Sequence, residues 1–269
     1  MTLYAYCNSS LRDHSLNVLK RLEQTFIERG DTRVLCRKII LSYTSQDHEN
    51  LDEEYIELVD TCINLVRLGA VLHDIGKGVD SYQESGLYTV VDGECRASYP
   101  FHEVFSGIIV YRLLKRYLIR YIKVKPLLVV PVIIALYHHY TMERLTPDKI
   151  IEYIHQRFNG KITLHPELGE ILLELSSKAL GDLDIGLDSN AIKRRKILDP
   201  IKTNDIRVLF KYIGENYLAN KRVTLLSMGL VGQVAIVDYI TASIERKGRS
   251  KYLENLCREA EWLCRGIGM

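Results

Sequence analysis

Between Leu51 and Asp74 the apolar residues Tyr55, Ile56, Leu58, Val59, Cys62, Ile63, Val66, Gly69, Ala70 and Leu72 recur at steps of three and four. That spacing predicts a long helix with one face in the core. His73 and Asp74 stand near its C-terminal end, with Gly76 as its stop. The pattern changes over residues 82–101, where Tyr, Thr and Val surround an Asp92-Gly93 pair, the chemistry of a tight turn. A small β-hairpin insertion is therefore expected near residues 86–99. Helical periodicity returns over 103–122 and 131–140, with Pro131 in a first turn, and again over 147–158, 166–180, 205–218, 230–247 and 252–264. The expected architecture is all-α, one domain over residues 1–269 with no internal repeat. The polar, basic stretch 187–205, bounded by Asp, Asn and Pro, reads as a connecting loop.

Composition bounds the function without deciding it. The chain has 269 residues, 47% of them hydrophobic, enough to bury a full core. Lys+Arg 36 against Asp+Glu 34 leaves a formal net charge of +2, too small to define a nucleic-acid binder by charge alone. Locally, Lys193, Arg194, Arg195 and Lys196 form a basic run that suits either a solvated loop or contact with a phosphate backbone. The six cysteines (Cys7, Cys36, Cys62, Cys95, Cys257, Cys264) include no C-x-x-C pair, so reduced thiols are expected rather than a zinc knuckle or a disulfide framework. Cys257 and Cys264, seven apart on a helix, share one face. The N-terminus lacks a basic start followed by an apolar run, so no signal peptide is expected. The most apolar run, residues 127–137, contains Pro131 and falls well short of the roughly 20 residues of a membrane span. A cytoplasmic protein without membrane contact is expected.

Five places put imidazole or carboxylate inside or beside an apolar stretch: His14, His73-Asp74, His102, His138-His139 and Asp238. Burying such groups costs desolvation energy unless each is paired. Together they are a ligand set for divalent transition metals, and a carboxylate with histidines on either side suits two ions about 3.5–4 Å apart. Adjacent residues on a helix point about 100° apart, so His73 and Asp74 can approach an ion pair from different sides. Such ions lower the pKa of bound water and hold phosphoryl oxygens, which suits phosphodiester hydrolysis. His48, His155 and His165 fall outside this pattern and read as surface or structural.

The order H…HD…H…HH…D, with "HDIGK" at residues 73–77, "FHEVFSG" around His102, the His138-His139 pair and the late "VDYITAS", resembles the HD superfamily of metal-dependent phosphohydrolases. Within it the chain is most similar to the stand-alone HD nuclease subunit of type I CRISPR interference, since it has no G-x-x-x-x-G-K-[ST] loop and no room for helicase domains. The resemblance spans roughly residues 10–245 and rests on about a dozen positions. It implies an HD-domain helical bundle. It implies one or two divalent ions, manganese or magnesium, with nickel, cobalt, iron or zinc also compatible. Their ligands would be His14, His73, Asp74, His102, His138, His139 and Asp238, with Asp74 bridging. It also implies catalytic roles for Asp74 and Lys77, with Lys77 beside the scissile phosphate and Ser106 in contact with phosphate.

The implied activity is a nuclease of DNA, single-stranded first, with double-stranded DNA and RNA as further candidates, in antiviral defence. The implied partners are a separate helicase subunit and a guide-RNA surveillance complex. Two positions depart from the family's pattern. Phe101 stands where a basic residue is common, and the spacing from Asp238 to Ser243 is one longer than the commonest, which leaves Asp182 or Asp184 as the alternative last ligand. Two other functions fit the same motif: an HD phosphohydrolase of nucleotides or cyclic dinucleotides, which needs a closed pocket, and an inactive HD module that regulates or scaffolds.

Overall fold

Twelve α-helices arise among the described residues of the computed structural model, which are 2–6, 9–43, 53–84, 88–91, 94–120, 125–139, 146–181, 187–218, 220–246 and 251–264. In chain order they are α1 (Leu11–Leu22), α2 (Asp31–Leu41), α3 (Glu53–Leu72), α4 (Asp80–Glu84), α5 (His102–Arg116), α6 (Val129–Tyr137), α7 (Pro147–Phe158), α8 (Leu168–Leu180), α9 (Ser189–Arg194), α10 (Thr203–Ile213), α11 (Lys221–Glu245) and α12 (Lys251–Glu259). Three two-stranded antiparallel pairs accompany them: β1 (Tyr4–Tyr6) with β2 (Ser9–Ser10), β3 (Tyr88–Val91) with β4 (Glu94–Ala97), and β5 (Lys161–Ile162) with β6 (Ile201–Lys202). The β3–β4 pair, in register from Tyr88↔Ala97 to Val91↔Glu94, is the expected hairpin. Its Asp92-Gly93 turn lies outside the described residues.

Local chemistry starts the helices that carry the site. The Ser10 hydroxyl caps α1 by accepting from the Asp13 N–H at 3.0 Å. At α11 the Asn220 side chain accepts from the N–H groups of Arg222 and Val223. Helix α3 lies at the centre, packed on α1, α2, α6 and α8, while α5 packs on α6 and α11 on α1, α2 and α6. Gly69 lets α3 and α6 close on each other. A Cβ there would lie 2.9 Å from Ile134 Cβ and 3.0 Å from Pro131 Cα. Helix α6 is buried from Val129 through Leu136, as an all-apolar helix must be. Helix α11 is long and apolar enough to cross a membrane by length and composition, yet Gln233, Asp238 and Thr241 on it are buried against its neighbours.

Two expectations change. Stretch 187–205 is built rather than looped. Asp188 caps α9 by accepting from the Ala191 N–H at 2.6 Å, and Ile192, Ile197 and Ile201 are buried. Arg112 of α5 donates to the backbone carbonyls of Ile197, Asp199 and Pro200 and pairs with Asp205 at 2.9 Å. Composition marked the polar residues and missed the isoleucines that dock them. The expectation of reduced thiols also fails, because Cys36 and Cys62 form a disulfide and Cys257 is disulfide-bonded as well. Cys36 and Cys62 sit 26 residues apart on the packed helices α2 and α3, a contact that local spacing motifs cannot reveal.

Candidate metal centre

The α3 helix ends at Leu72, and the chain turns through His73 and Asp74 into a tight 3-10 turn, Ile75–Gly78. That turn packs against α5. Gly76 makes the contact possible, because a Cβ at this position would run into the His102 carbonyl oxygen and lie 2.6 Å from Ser106 N. The Gly76 N–H donates to Ser106 Oγ at 2.8 Å. Ser106, expected at a phosphate, is fully buried, and its oxygen holds the turn to α5. Phe101, at φ 61°, sits in the left-handed region immediately before His102 opens α5. A bulky residue there carries backbone strain next to the site.

All seven expected ligands converge. His14, His73, Asp74 and Asp238 form one group of donor atoms within 4.8 Å of one another, and Asp74, His102, His138 and His139 form a second. Asp74 belongs to both, with one oxygen turned to each. Its Oδ1 lies 3.0 Å from His102 Nε2 and 3.6 Å from His138 Nε2, and its Oδ2 lies 3.4 Å from His14 Nε2 and 3.5 Å from His73 Nε2. Asp238 Oδ1 is 3.0 Å from His14 Nε2 and 3.4 Å from His73 Nε2. In the second group His139 Nε2 stands 3.2 Å from His102 Nε2. Asp182 and Asp184, the alternative last ligand, and His48 lie outside the described residues.

The backbone aims most of these rings. His73, His102 and His138 each donate an Nδ1 proton to the carbonyl of the residue three before, Ala70, Tyr99 and Ala135, at 2.6, 2.7 and 3.0 Å. Their Nε2 atoms are thereby left facing Asp74. His73 Nε2, His138 Nε2 and Asp74 Oδ1 are buried and make no hydrogen bond among the described residues. Orphaned buried donors and acceptors of this kind cost about 1–3 kcal/mol each unless something else occupies them. Imidazole and carboxylate atoms converging at these distances fit divalent ions.

Electrostatics keep both carboxylates and two of the imidazoles in ligand form. Burial pushes the Asp74 carboxyl up, but Lys77 first and His73 next outweigh it and hold the group well below the usual carboxylate range. Burial likewise raises Asp238, and His73 and His14 overcome it. Burial lowers His138 to about 4 and, helped by the neighbouring rings His138 and His102, lowers His139 to about 2. Both are neutral imidazoles near pH 7, the state an ion requires. For His14 burial works downward, yet hydrogen bonds to Asp238 and Glu245 raise it to about 9.

Other expected residues are placed differently. Lys77 is buried, its ammonium 2.6 Å from Asp74 Oδ2 and 4.3 Å above the Tyr6 ring. The basic run stands apart from the centre. Arg116 of α5 holds the carbonyls of Arg195 and Lys196, and it lies 14 residues after His102, about 20 Å along the helix at 1.5 Å per residue. Lys193 and Lys196 line a groove of about 340 Å³ with His165, Glu170 and Asp199.

Two carboxylates in the site were not expected from sequence. Glu103 is fully buried, with Oε2 3.4 Å from His102 Nδ1, and burial raises its pKa. Glu245 Oε2 meets His14 Nδ1 at 2.9 Å. Its signal was available: Glu245 follows Asp238 by seven residues and so shares its helix face.

Helices converge on a His-Asp turn with three further histidine stations, on α1, on α5 and at the end of α6, in an HD-type helical fold. Among solved structures the chain is similar to the CRISPR-associated Cas3 HD domain protein MJ0384 from Methanocaldococcus jannaschii, with a TM-score of 0.52 and 20% sequence identity over 88% of this chain and 99% of that one. No family model matches the chain, and no curated protein matches it.

Proposed function

We propose that the chain is a metal-dependent HD phosphohydrolase that acts as a nuclease on DNA. The observation that carries this reading is Asp74, which offers one carboxylate oxygen to each of two histidine groups. His14, His73, Asp74 and Asp238 would hold one ion, and Asp74, His102, His138 and His139 the other. An imidazole-rich set favours manganese, iron, cobalt, nickel or zinc over magnesium, which prefers oxygen ligands, so manganese is the first ion to test. When bound, such a pair makes hydroxide available from water near neutral pH and offsets charge on phosphoryl oxygens.

The chain's own residues do the rest. Lys77 keeps Asp74 ionised and adds positive charge at the centre. Backbone carbonyls fix three rings with Nε2 inward. The likeness to a CRISPR-associated HD domain protein supports nucleic acid as substrate and a CRISPR context. A separate helicase subunit and a guide-RNA surveillance complex would then present single-stranded DNA, with double-stranded DNA and RNA as further substrates. The basic run Lys193, Arg194, Arg195 and Lys196, remote from the centre, suits the backbone of a polymer better than a lone nucleotide.

The test is cleavage of labelled single-stranded DNA, double-stranded DNA, RNA and a nucleotide panel, with manganese or with chelator, by the intact chain and by Asp74→Ala. Polymer cleavage that disappears with chelator and with the substitution is expected. Phosphate released from small nucleotides while polymers stay intact would retain the hydrolase and change its substrate. Undiminished cleavage by a folded Asp74→Ala protein overturns the reading.

A further inference from the structure

His14 is held unlike the other buried histidines. His73, His102 and His138 rest their Nδ1 protons on backbone carbonyls, whereas His14 Nδ1 lies 2.9 Å from the Glu245 carboxylate while its Nε2 lies 3.0 Å from Asp238. Both acids belong to α11, seven residues apart, so one helix face grips the ring from its two nitrogen edges. Glu245 is itself fixed. Its Oε1 accepts from Asn17 Nδ2 at 3.0 Å, and Asn17 lies one turn beyond His14 on α1. Tyr6 stands edge-on to the His14 ring at 5.0 Å, and the Arg246 guanidinium lies 4.0 Å over the Tyr6 ring.

A carboxylate that takes the far proton of a ligating imidazole fixes its tautomer and makes the near nitrogen a stronger donor than a carbonyl partner does. The two groups are therefore unequal. The His14 group has Asp74 and Asp238 as ligands and Glu245 behind at 2.9 Å, whereas the other relies on the shared Asp74 with three histidines, and the Glu103 carboxylate behind His102 stands off at 3.4 Å while the Tyr99 carbonyl takes that Nδ1 proton at 2.7 Å. We propose that Glu245 is a positioning residue that makes the His14, His73, Asp74 and Asp238 group the tighter of two cation sites, the one filled first. This inference rests on the proposed metal centre.

Calorimetric titration of chelator-stripped protein with Mn²⁺ tests it. The intact chain should bind in a tight and a weaker step. Glu245→Gln should weaken the tight step about 10–100-fold and leave the weaker one in place, with Glu245→Ala losing more. His102→Ala should remove the weaker step alone. Asn17→Ala, which removes one of the donors that hold Glu245, should give a smaller loss in the same step and serves if the Glu245 variants fail to fold. In the protein loaded with diamagnetic Zn²⁺, the His14 Nδ1 proton resonance should lie far downfield and move upfield in Glu245→Gln, a change that general loosening of α11 does not produce. Glu245 variants that leave both steps unchanged, or weaken both equally, overturn the inference while the metal centre stands. Absence of any Mn²⁺ binding by the intact chain overturns the centre itself.

Discussion

The Lys77 ammonium lies 2.6 Å from Asp74 Oδ2, with both side chains almost wholly removed from water. This ion pair occupies the carboxylate oxygen that also faces His14 and His73. Lys77 thus stands in for positive charge that an ion would otherwise supply, and the two compete for one oxygen. Replacing Lys77 with Met strands a buried carboxylate, which costs about 3–5 kcal/mol in metal-free protein. Because an ion restores the missing charge, manganese should recover most of that loss. Urea unfolding of Lys77→Met with chelator and with manganese reads the difference. Equal destabilisation in both conditions would mean that Lys77 acts through packing on Tyr6 alone.

Gly76 sets how closely the His-Asp turn approaches α5. In Gly76→Ala the new methyl meets the His102 carbonyl and Ser106, both backbone-anchored and unable to yield cheaply. The variant should lose at least about 2 kcal/mol of stability. It should also lose metal affinity, since His102 and Asp74 are pushed apart. Ser106→Ala is the comparison: it removes only the hydroxyl that accepts from Gly76 and should cost less in both measurements.

Much of this was legible in the chain. The helices over α3, α5 to α8 and α11 announce themselves by apolar periodicity, and the candidate ligands were visible because each His or Asp interrupts such a run. What stayed hidden depends on contacts far apart in sequence. Glu245 shares a helix face with Asp238, but its partner is fixed only when α1 brings His14 to it across 231 positions. The Cys36–Cys62 bridge needs α2 packed on α3 before the sulfurs meet. Stretch 187–205 looked loose because its charges outnumber the isoleucines that dock it. Ser106 carried the right residue type for phosphate, and only its burial against Gly76 reveals its use.

In chelated protein His14 should set one pH limb, and His138, with His139 lowered further still, the opposing one. His14 is raised from 6.5 to about 9, so its contribution to stability is full below pH 6.5 and is lost as pH climbs toward 9. His138 is lowered from 6.5 to about 4, so the unfolded chain binds its proton first and stability falls as pH drops from 6.5 toward 4. The stability maximum of the metal-free protein should therefore lie near pH 6.5. Unfolding measured across this range should show the alkaline decline, and His14→Gln should flatten it. An unchanged alkaline limb in that variant would assign the decline to other groups.

The Cys36–Cys62 bridge closes a loop of 26 residues and by chain entropy contributes about 3–4 kcal/mol. Dithiothreitol should lower the urea midpoint of the intact chain accordingly. The double variant Cys36→Ala, Cys62→Ala should start lower and respond less. Neither sulfur touches the donor atoms, so manganese affinity should survive in both. Loss of metal binding on reduction would instead mean that the bridge sets the position of α3 and, through it, of His73 and Asp74.

Removing metal should destabilise the protein, for a reason visible in its own atoms. His73 Nε2, His138 Nε2 and Asp74 Oδ1 are buried without hydrogen bonds among the described residues, and the two aspartates of the first group sit within 3.0–3.5 Å of shared histidine nitrogens. An ion that binds only the folded chain stabilises it by mass action, about 2.7 kcal/mol at a hundredfold excess over Kd. For a chain of this size that raises Tm by several degrees. Manganese should produce that rise in chelator-treated protein and magnesium a smaller one, because the donors are mainly nitrogen. In Asp74→Asn the rise should vanish, since the carboxylate shared by both groups is gone. That variant's metal-free Tm bears on the same point. If the centre is built for cations, neutralising Asp74 leaves the Lys77 charge without its partner and lowers Tm even before metal is added. An Asp74→Asn protein that is as stable as the intact chain and still gains several degrees from manganese would locate the binding elsewhere.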